Sequence, residues 1–290
     1  MVTTRLHWSD LPAKTRAAIE ATTGPIHRAE TVSGGYNSEI AVRLDTARGT
    51  LFVKGLRSDH PRAWTQGREA AVAPHTGGLA PSLLWRVRET GWDLLGFEFV
   101  AEGRHADYSA GSPDLLLLAD ALTRLAEASV PDIELKRAEK RWAAYIPEPR
   151  HRAALAGEHL AHTDFNPENV LIAHERAVMV DWAWATRAAP WLDPALACIW
   201  LIATGKQAPA QAEQWAARMP AWHTAPRDAL NAFAQANARL WTEIADENPG
   251  PWSASLRDAA GRYAAFRSTT WGTSDEWPRP GPTATGAPAA

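Results

Sequence analysis

The sequence predicts an α+β chain of two unequal lobes: a small antiparallel β lobe with one inserted helix, then a larger, mainly helical lobe. Three observations point there. The first hundred residues hold five strand-like runs separated by turn residues. After Gly103 the apolar residues recur at helical spacing instead. Between the two regimes lies only a short connection, residues 99–103, and clefts between lobes are favoured ligand sites. The expected boundaries are residues 1–100 for the β-rich lobe, 101–272 for the helical lobe, and 273–290 for a disordered tail.

Taken in order, residues 9–22 read as an amphipathic helix. Ser9 or Asp10 is its candidate N-cap, Pro12 lies in its first turn, and Gly24-Pro25 ends it. Runs 26–32, 38–44 and 50–55 read as strands, joined by Ser33-Gly34-Gly35 and by residues 46–49. Residues 62–73 fit a helix. Runs 83–88 and 92–100 return to strand character around the turn Thr90-Gly91. In the second lobe Ser112 is a good N-cap with Pro113 behind it, and Leu115, Leu118, Leu122 and Leu125 form one face. Residues 155–161 read as the end of another helix. Runs 170–172 and 178–180 suggest a small hairpin. Asp193-Pro194 opens an apolar helix over 195–203, with Asp193 as its N-cap. Further helices follow over 208–219, 226–247 and 253–270. The tail is rich in Pro, Gly, Ala and Thr, which cannot build a core.

Composition narrows the function classes. The chain has 290 residues, 46% hydrophobic and 22% charged, with a formal net charge of −3. That is ordinary globular composition. No basic excess marks a nucleic-acid binder. No apolar run approaches a membrane span, the longest being residues 195–203. Cys198 is the sole cysteine, so neither an internal disulfide nor a cysteine zinc site is available, and a reducing cytoplasm is the expected setting. Lysine is scarce, at Lys14, Lys54, Lys136, Lys140 and Lys206, while tryptophan is abundant at 15. The tryptophans fill a core or supply a stacking surface; the count alone leaves both open. The oligomeric state is not readable.

The segment that carries chemistry runs His162-Thr163-Asp164-Phe165-Asn166-Pro167-Glu168-Asn169 and leads into an apolar strand. Asp181 ends the next apolar strand, so a hairpin returns it beside the loop. Three oxygen-bearing side chains then meet. Magnesium takes oxygen ligands and often only one or two carboxylates besides phosphate oxygens, a role that suits Asn169 and Asp181. Asp164 is left to accept a proton from a hydroxyl. An Asp-x₄-Asn pair alone occurs about once by chance in a chain of this length; the flanking strands and Asp181 lift it above that.

On these residues the sequence resembles the aminoglycoside phosphotransferase/choline kinase family, whose loop reads H-G-D-x-x-x-x-N and whose fold is protein-kinase-like. His162, Asp164 and Asn169 stand in the family's places, and Thr163 replaces its usual Gly. The resemblance implies upstream parts in a fixed order. Gly34 and Gly35 fall where the phosphate-covering loop belongs, although Gly-Gly between strands is also a common turn. Lys54, ending the third strand run, falls at the position that holds the ATP phosphates; by itself a strand-end lysine is usually a solvated charge. Glu69 on the following helix falls where it pairs with that lysine. Phe99 and Ala101 fall in the connection, where backbone groups bond adenine. His162 is implied to order the loop rather than to act as a base. His105, Asp107 and Tyr108 receive no role. The implied activity is an ATP-dependent, Mg²⁺-requiring small-molecule kinase: Asp164 is the catalytic base, Asn169 and Asp181 hold metal, and the acceptor is an unidentified hydroxyl compound. Glu243, Asp246 and Glu247 form an acidic helix face that could border the cleft or simply be solvated. The alternative is a nucleotide-binding pseudokinase serving as an interaction module, for which Thr163 and the departure after Asp181 leave room.

Overall fold

The computed structural model describes residues 5–32, 38–128 and 130–270. Gly34 and Gly35, and the tail expected to be disordered, lie outside these. The first strands form one antiparallel sheet in the order β1-β2-β3-β5-β4, with β1 Ile26–Thr31, β2 Ile40–Thr46, β3 Gly49–Arg57, β4 Leu83–Glu89 and β5 Trp92–Glu98. Helix α1, Ala13–Thr23, packs beside it, preceded by a 3₁₀ turn at Trp8–Asp10. Leu11 and Ile19 join Ile40, Val42, Leu44, Val53 and Leu94 in a core of their own. Helix α2, Trp64–Val72, is inserted between β3 and β4. The sheet buries β5 along nearly its whole length while β1 is exposed at the edge, as a sheet covered on one side by helices and on the other by the rest of the chain requires.

The second region contains β6 Arg104–His105, α3 Asp114–Glu127, β7 Lys136–Arg137, α4 Ala138–Arg141, α5 Pro149–Ala153 and β8 His159–Ala161. Then come β9 Val170–Ala173, β10 Arg176–Met179, β11 Thr186–Ala188, α6 Leu192–Ala203, α7 Pro209–Ala216, α8 Arg227–Glu247 and α9 Pro251–Thr270. Helix α3 buries Leu115, Leu118, Leu122 and Leu125, the stripe read from the sequence. The N-cap is Pro113 rather than the expected Ser112, whose hydroxyl nonetheless accepts the Asp114 N–H at 3.3 Å. Helix α6 is buried on every side from Leu192 to Ile202, so α7, α8 and α9 wrap it rather than flank it. Residues Val72 and Leu79 from the first hundred also belong to this larger core. No helix among the described residues is long and apolar enough to cross a membrane.

Three small departures from the sequence reading matter for the site. Residues 155–161 do not end a helix: α5 stops at Ala153, and His159–Ala161 forms β8, antiparallel to β11. Gly157 explains the break, because a Cβ there would lie 2.4 Å from the carbonyl oxygen of Ala188. Asp193 is not the N-cap of α6; that place is held by Trp191, and Asp193 stands inside the first turn. Lys54 is not at a strand end but within β3, paired with Ala41 and Leu95 and buried. The close approach at Gly157 gives a first expectation. Gly157→Ala forces the β8–β11 crossing apart and should lower stability by about 1–3 kcal/mol, the usual cost of overpacking. Equilibrium urea unfolding checks it; an unchanged midpoint would show that the crossing relaxes freely.

Candidate active site

The site is assembled from the sheet, α2 and the β9–β10 hairpin. Lys54 and Phe52 alternate onto one face of β3. The Lys54 Nζ lies 2.8 Å from Glu69 Oε2 on α2 and 3.1 Å from Asp181 Oδ1. Burial works against its charge, yet the carboxylates of Asp181 and Glu69 hold the ammonium above the ordinary lysine range. The Lys54–Glu69 pairing implied by the sequence is thus formed, and Asp181 joins it.

The hairpin pairs Val170 with Met179. One step further out, the Val180 N–H donates to the Asn169 carbonyl at 2.9 Å, which sets Asp181 beside Asn169. Asn169 ends a 3₁₀ turn begun by Pro167. Its side-chain amide reaches the Asp164 carbonyl at 3.5 Å. Asp164 follows the buried His162, whose Nε2 lies 2.9 Å from the Val180 carbonyl and whose ring stacks edge-on against Trp182 at 4.7 Å. His162 therefore ties the loop to the hairpin, as a structural residue. Burial, and then the charge of Asp181, push the Asp164 carboxyl up to about 6.

Two non-glycine residues here have left-handed backbones: Thr163 at φ 69° and Asp181 at φ 63°. Such geometry is rare for a β-branched residue and is retained only where surroundings enforce it. For Thr163 the enforcement is visible. Its N–H donates to Asp193 Oδ1 at 3.0 Å, and its hydroxyl donates to the Trp184 carbonyl at 2.9 Å and accepts from Arg141 at 2.6 Å. The His162 N–H donates to Asp193 Oδ2 at 2.8 Å. The glycine-to-threonine departure noted in the sequence therefore occupies a position whose φ glycine adopts readily, and it adds a side-chain link to Arg141.

A cavity of about 310 Å³ opens between the sheet and the hairpin. Val32, Ala41 and Phe52 form one wall and Leu171 the other, with Phe99 and Val100 at the connection and Lys54 and Asp181 at the polar end. A flat aromatic base fits between such apolar walls, with its phosphates directed to the lysine. Phe99 lines the cavity as expected. Ala101 does not: it is exposed in the turn after Val100, and Val100 stands in its place. Asp164 is not among the lining residues, although its carboxyl feels the charge of Asp181 at the polar end. Sequence reading missed Phe52, Ala41 and Leu171. Phe52 was findable, lying two residues before Lys54 on the same strand face. It also missed Arg5 and His105, which line the cavity, and the part played by Asp193.

Asp193 carries a clear expectation. Its carboxylate satisfies two buried N–H groups, those of His162 and Thr163, each of which costs about 1–3 kcal/mol if left unpaired. Asp193→Ala should therefore destabilise the fold by roughly 2–5 kcal/mol, read as a lowered melting temperature. A variant as stable as the parent would show that the loop holds itself.

Residues 106–227 match the model of the phosphotransferase enzyme family. No curated protein matches the chain. Among solved structures, choline kinase LicA from Streptococcus pneumoniae aligns with a TM-score of 0.61 at 15% identity, over 87% of this chain and 98% of that one. A thermostable mutant of aminoglycoside phosphotransferase APH(4)-Ia, in ternary complex with ADP and hygromycin B, aligns at 0.59 and 17% identity, over 90% and 100%. At such identities the likeness is one of fold. The chain has the protein-kinase-like fold of the choline kinases and aminoglycoside phosphotransferases, and the resemblance to their family first seen at His162, Asp164 and Asn169 extends over the family match from 106 to 227.

Proposed function

We propose that the protein transfers the γ-phosphoryl group of ATP to a hydroxyl of a small molecule. The observation that carries this reading is the division of labour at the cleft. Lys54, Glu69 and Asp181 meet at the polar end of an apolar slot, and Asp164, whose carboxyl feels the charge of Asp181, is not part of its lining. A nucleotide in the slot presents its phosphates to Lys54. An acceptor approaching from the Asp164 side meets a carboxylate free of the slot. The acceptor oxygen forms its bond to the γ-phosphorus as the bond to the ADP oxygen breaks, and Asp164 takes the hydroxyl proton. Most of the acceleration comes from positioning and electrostatics.

The residues fit Mg²⁺. Asn169 turns its amide nitrogen to the Asp164 carbonyl, which leaves Oδ1 as the donor to a cation beside Asp181. Among the described residues no cluster of three or more His, Cys, Asp or Glu could hold a metal unaided, consistent with an ion that depends on phosphate oxygens for the rest of its shell. Bound there, Mg²⁺ supplies neutralisation of phosphate charge. Phe99 and Val100 offer backbone groups to the base. Gly34 and Gly35 remain the proposed phosphate cover. No finding supports the inactive-module alternative.

The direct test is ATP consumption with Mg²⁺ across a panel of hydroxylated metabolites and antibiotics, the product being identified by mass spectrometry. Absence of any phosphorylated product would count against the reading. Lys54→Ala and Asp181→Asn should weaken the thermal shift caused by Mg·ATP. Lys54→Ala should also melt lower without ligand, since it leaves two buried carboxylates without their shared cation. An unaltered ligand shift in both variants removes these residues from the site. Asp164→Asn should leave Mg·ATP affinity nearly unchanged and lower kcat by roughly 10²–10⁴-fold. Turnover at the parental rate would show that another group takes the proton.

A further inference from the structure

Next to Thr163, the residue before Asp164, lies a cluster that the transfer reaction does not use. Trp64 begins α2, five residues before Glu69, and Trp184 ends the turn that follows Asp181. Their rings meet edge to face at 5.5 Å. The Lys136 Nζ, from β7, sits 4.9 Å from the centroid of each ring. The Arg68 guanidinium lies 5.7 Å from the Trp64 ring, and that of Arg141 lies 5.2 Å from the Trp184 ring. Three cations from three elements thus share one pair of indoles, and Trp64 is 42% exposed, so the pair is open to solvent.

The charges are poorly balanced. The carboxylates that act on Arg141 are Asp164 and Asp193. Arg68 carries a buried Nη1 that has no hydrogen-bond partner. Lys136 has its ammonium drawn below the ordinary lysine value by burial and then by Arg141 and Arg68. Cations gathered in a part-buried place repel one another, and an anion placed between them removes that repulsion. The indole walls displace water and so strengthen the attraction, and a guanidinium fork matches the oxygens of a carboxylate or phosphate. The cluster is also tied to the reacting centre. Arg141 donates to the Thr163 hydroxyl at 2.6 Å and the Thr186 hydroxyl at 2.9 Å, and Thr163 is the residue before Asp164.

We propose that Arg68, Lys136 and Arg141, walled by Trp64 and Trp184, form an oxyanion-binding site beside the catalytic loop, filled by a phosphate or carboxylate group of the acceptor or of a free anion. Its use in anchoring an acceptor rests on the kinase reading; the anion site itself does not. The acceptor class it implies is a hydroxyl compound with a negative group, unlike choline, which is a cation.

Calorimetric titration of inorganic phosphate into the full chain, with AMP-PNP and Mg²⁺ present to fill the nucleotide slot, tests the site. Saturable binding is expected, weakened roughly tenfold or more in Arg68→Gln and in Lys136→Gln, each variant still showing the parental thermal melt. No phosphate binding to the parent, or equal binding by parent and both variants, overturns the proposal. The source is read from ATP consumption with paired acceptors, a sugar against its phosphate ester or a diol against the matching hydroxy acid. An acceptor-borne group predicts that Lys136→Gln raises KM more for the anionic member of each pair; a free anion predicts equal changes for both. If no acceptor is turned over while phosphate still binds and the variants still lose it, the kinase reading fails and the anion site stands.

Discussion

A buried ammonium between two carboxylates holds the cleft in shape. Lys54 comes from the centre of the sheet, Glu69 from the inserted helix and Asp181 from the far end of the hairpin. These segments have no reason of covalent geometry to meet. Burying the lysine without partners would be costly, and burying either carboxylate beside the other without the lysine would be costlier still. The three are acceptable together, so each fixes the others. The sheet must present Lys54 inward, which sets the register of β3 against β2 and β5. Helix α2 must lie over it, and the hairpin must close from below. The apolar slot between Phe52 and Leu171 is a consequence of that closure. One charge more than balance remains on the carboxylate side, which suits a place where a nucleotide's counter-cation is to be received.

The second constraint is conformational. Thr163 and Asp181 both sit in left-handed geometry, with roughly 1–2 kcal/mol of steric cost apiece. The cost is met by a tight set of bonds: Asp193 under the loop's N–H groups, His162 onto the Val180 carbonyl, Thr163 onto Trp184 and Arg141. The outcome is an Asp164 held in a fixed loop. Rigid placement of that kind is what the proposed in-line transfer needs, since a misplacement of one ångström at the reacting atoms erases much of the gain.

Much of this was legible in the residues. The strands of the first lobe were marked by turn residues and alternation, and α3 by its leucine stripe. The loop from His162 to Asn169 was marked by an unusual density of polar side chains before an apolar strand. What escaped had physical causes. Residues 155–161 are alanine- and leucine-rich enough to read as helix, and the decisive fact is that Gly157 lies against the Ala188 carbonyl, thirty-one positions away. Asp193 before Pro194 is a plausible cap by local rules, yet its carboxylate is captured by a loop thirty residues earlier. Lys54, read at a strand end, proves to lie within β3, because burial of a lysine there depends on partners at positions 69 and 181. Ala101 is not in the cavity lining because it stands exposed in the turn after Val100. Each failure concerns a contact between remote positions, which local periodicity does not encode.

A formal charge of −3 shows only that no basic excess is present and says nothing of local fields. The carboxylates of Asp181 and Glu69 stand around Lys54, while Arg141, Lys136 and Arg68 gather around two indoles. Asp164 feels both groups, raised by Asp181 and lowered by Arg141, and burial decides the balance upward to about 6. A carboxylate placed there is only weakly committed to its charge, which is the property a proton acceptor near neutral pH requires. On the proposed reading, the slot suits a nucleotide accompanied by a cation, and the indole cluster suits an anion. A sum over the sequence cancels these terms, whereas the fold gathers them into separate places.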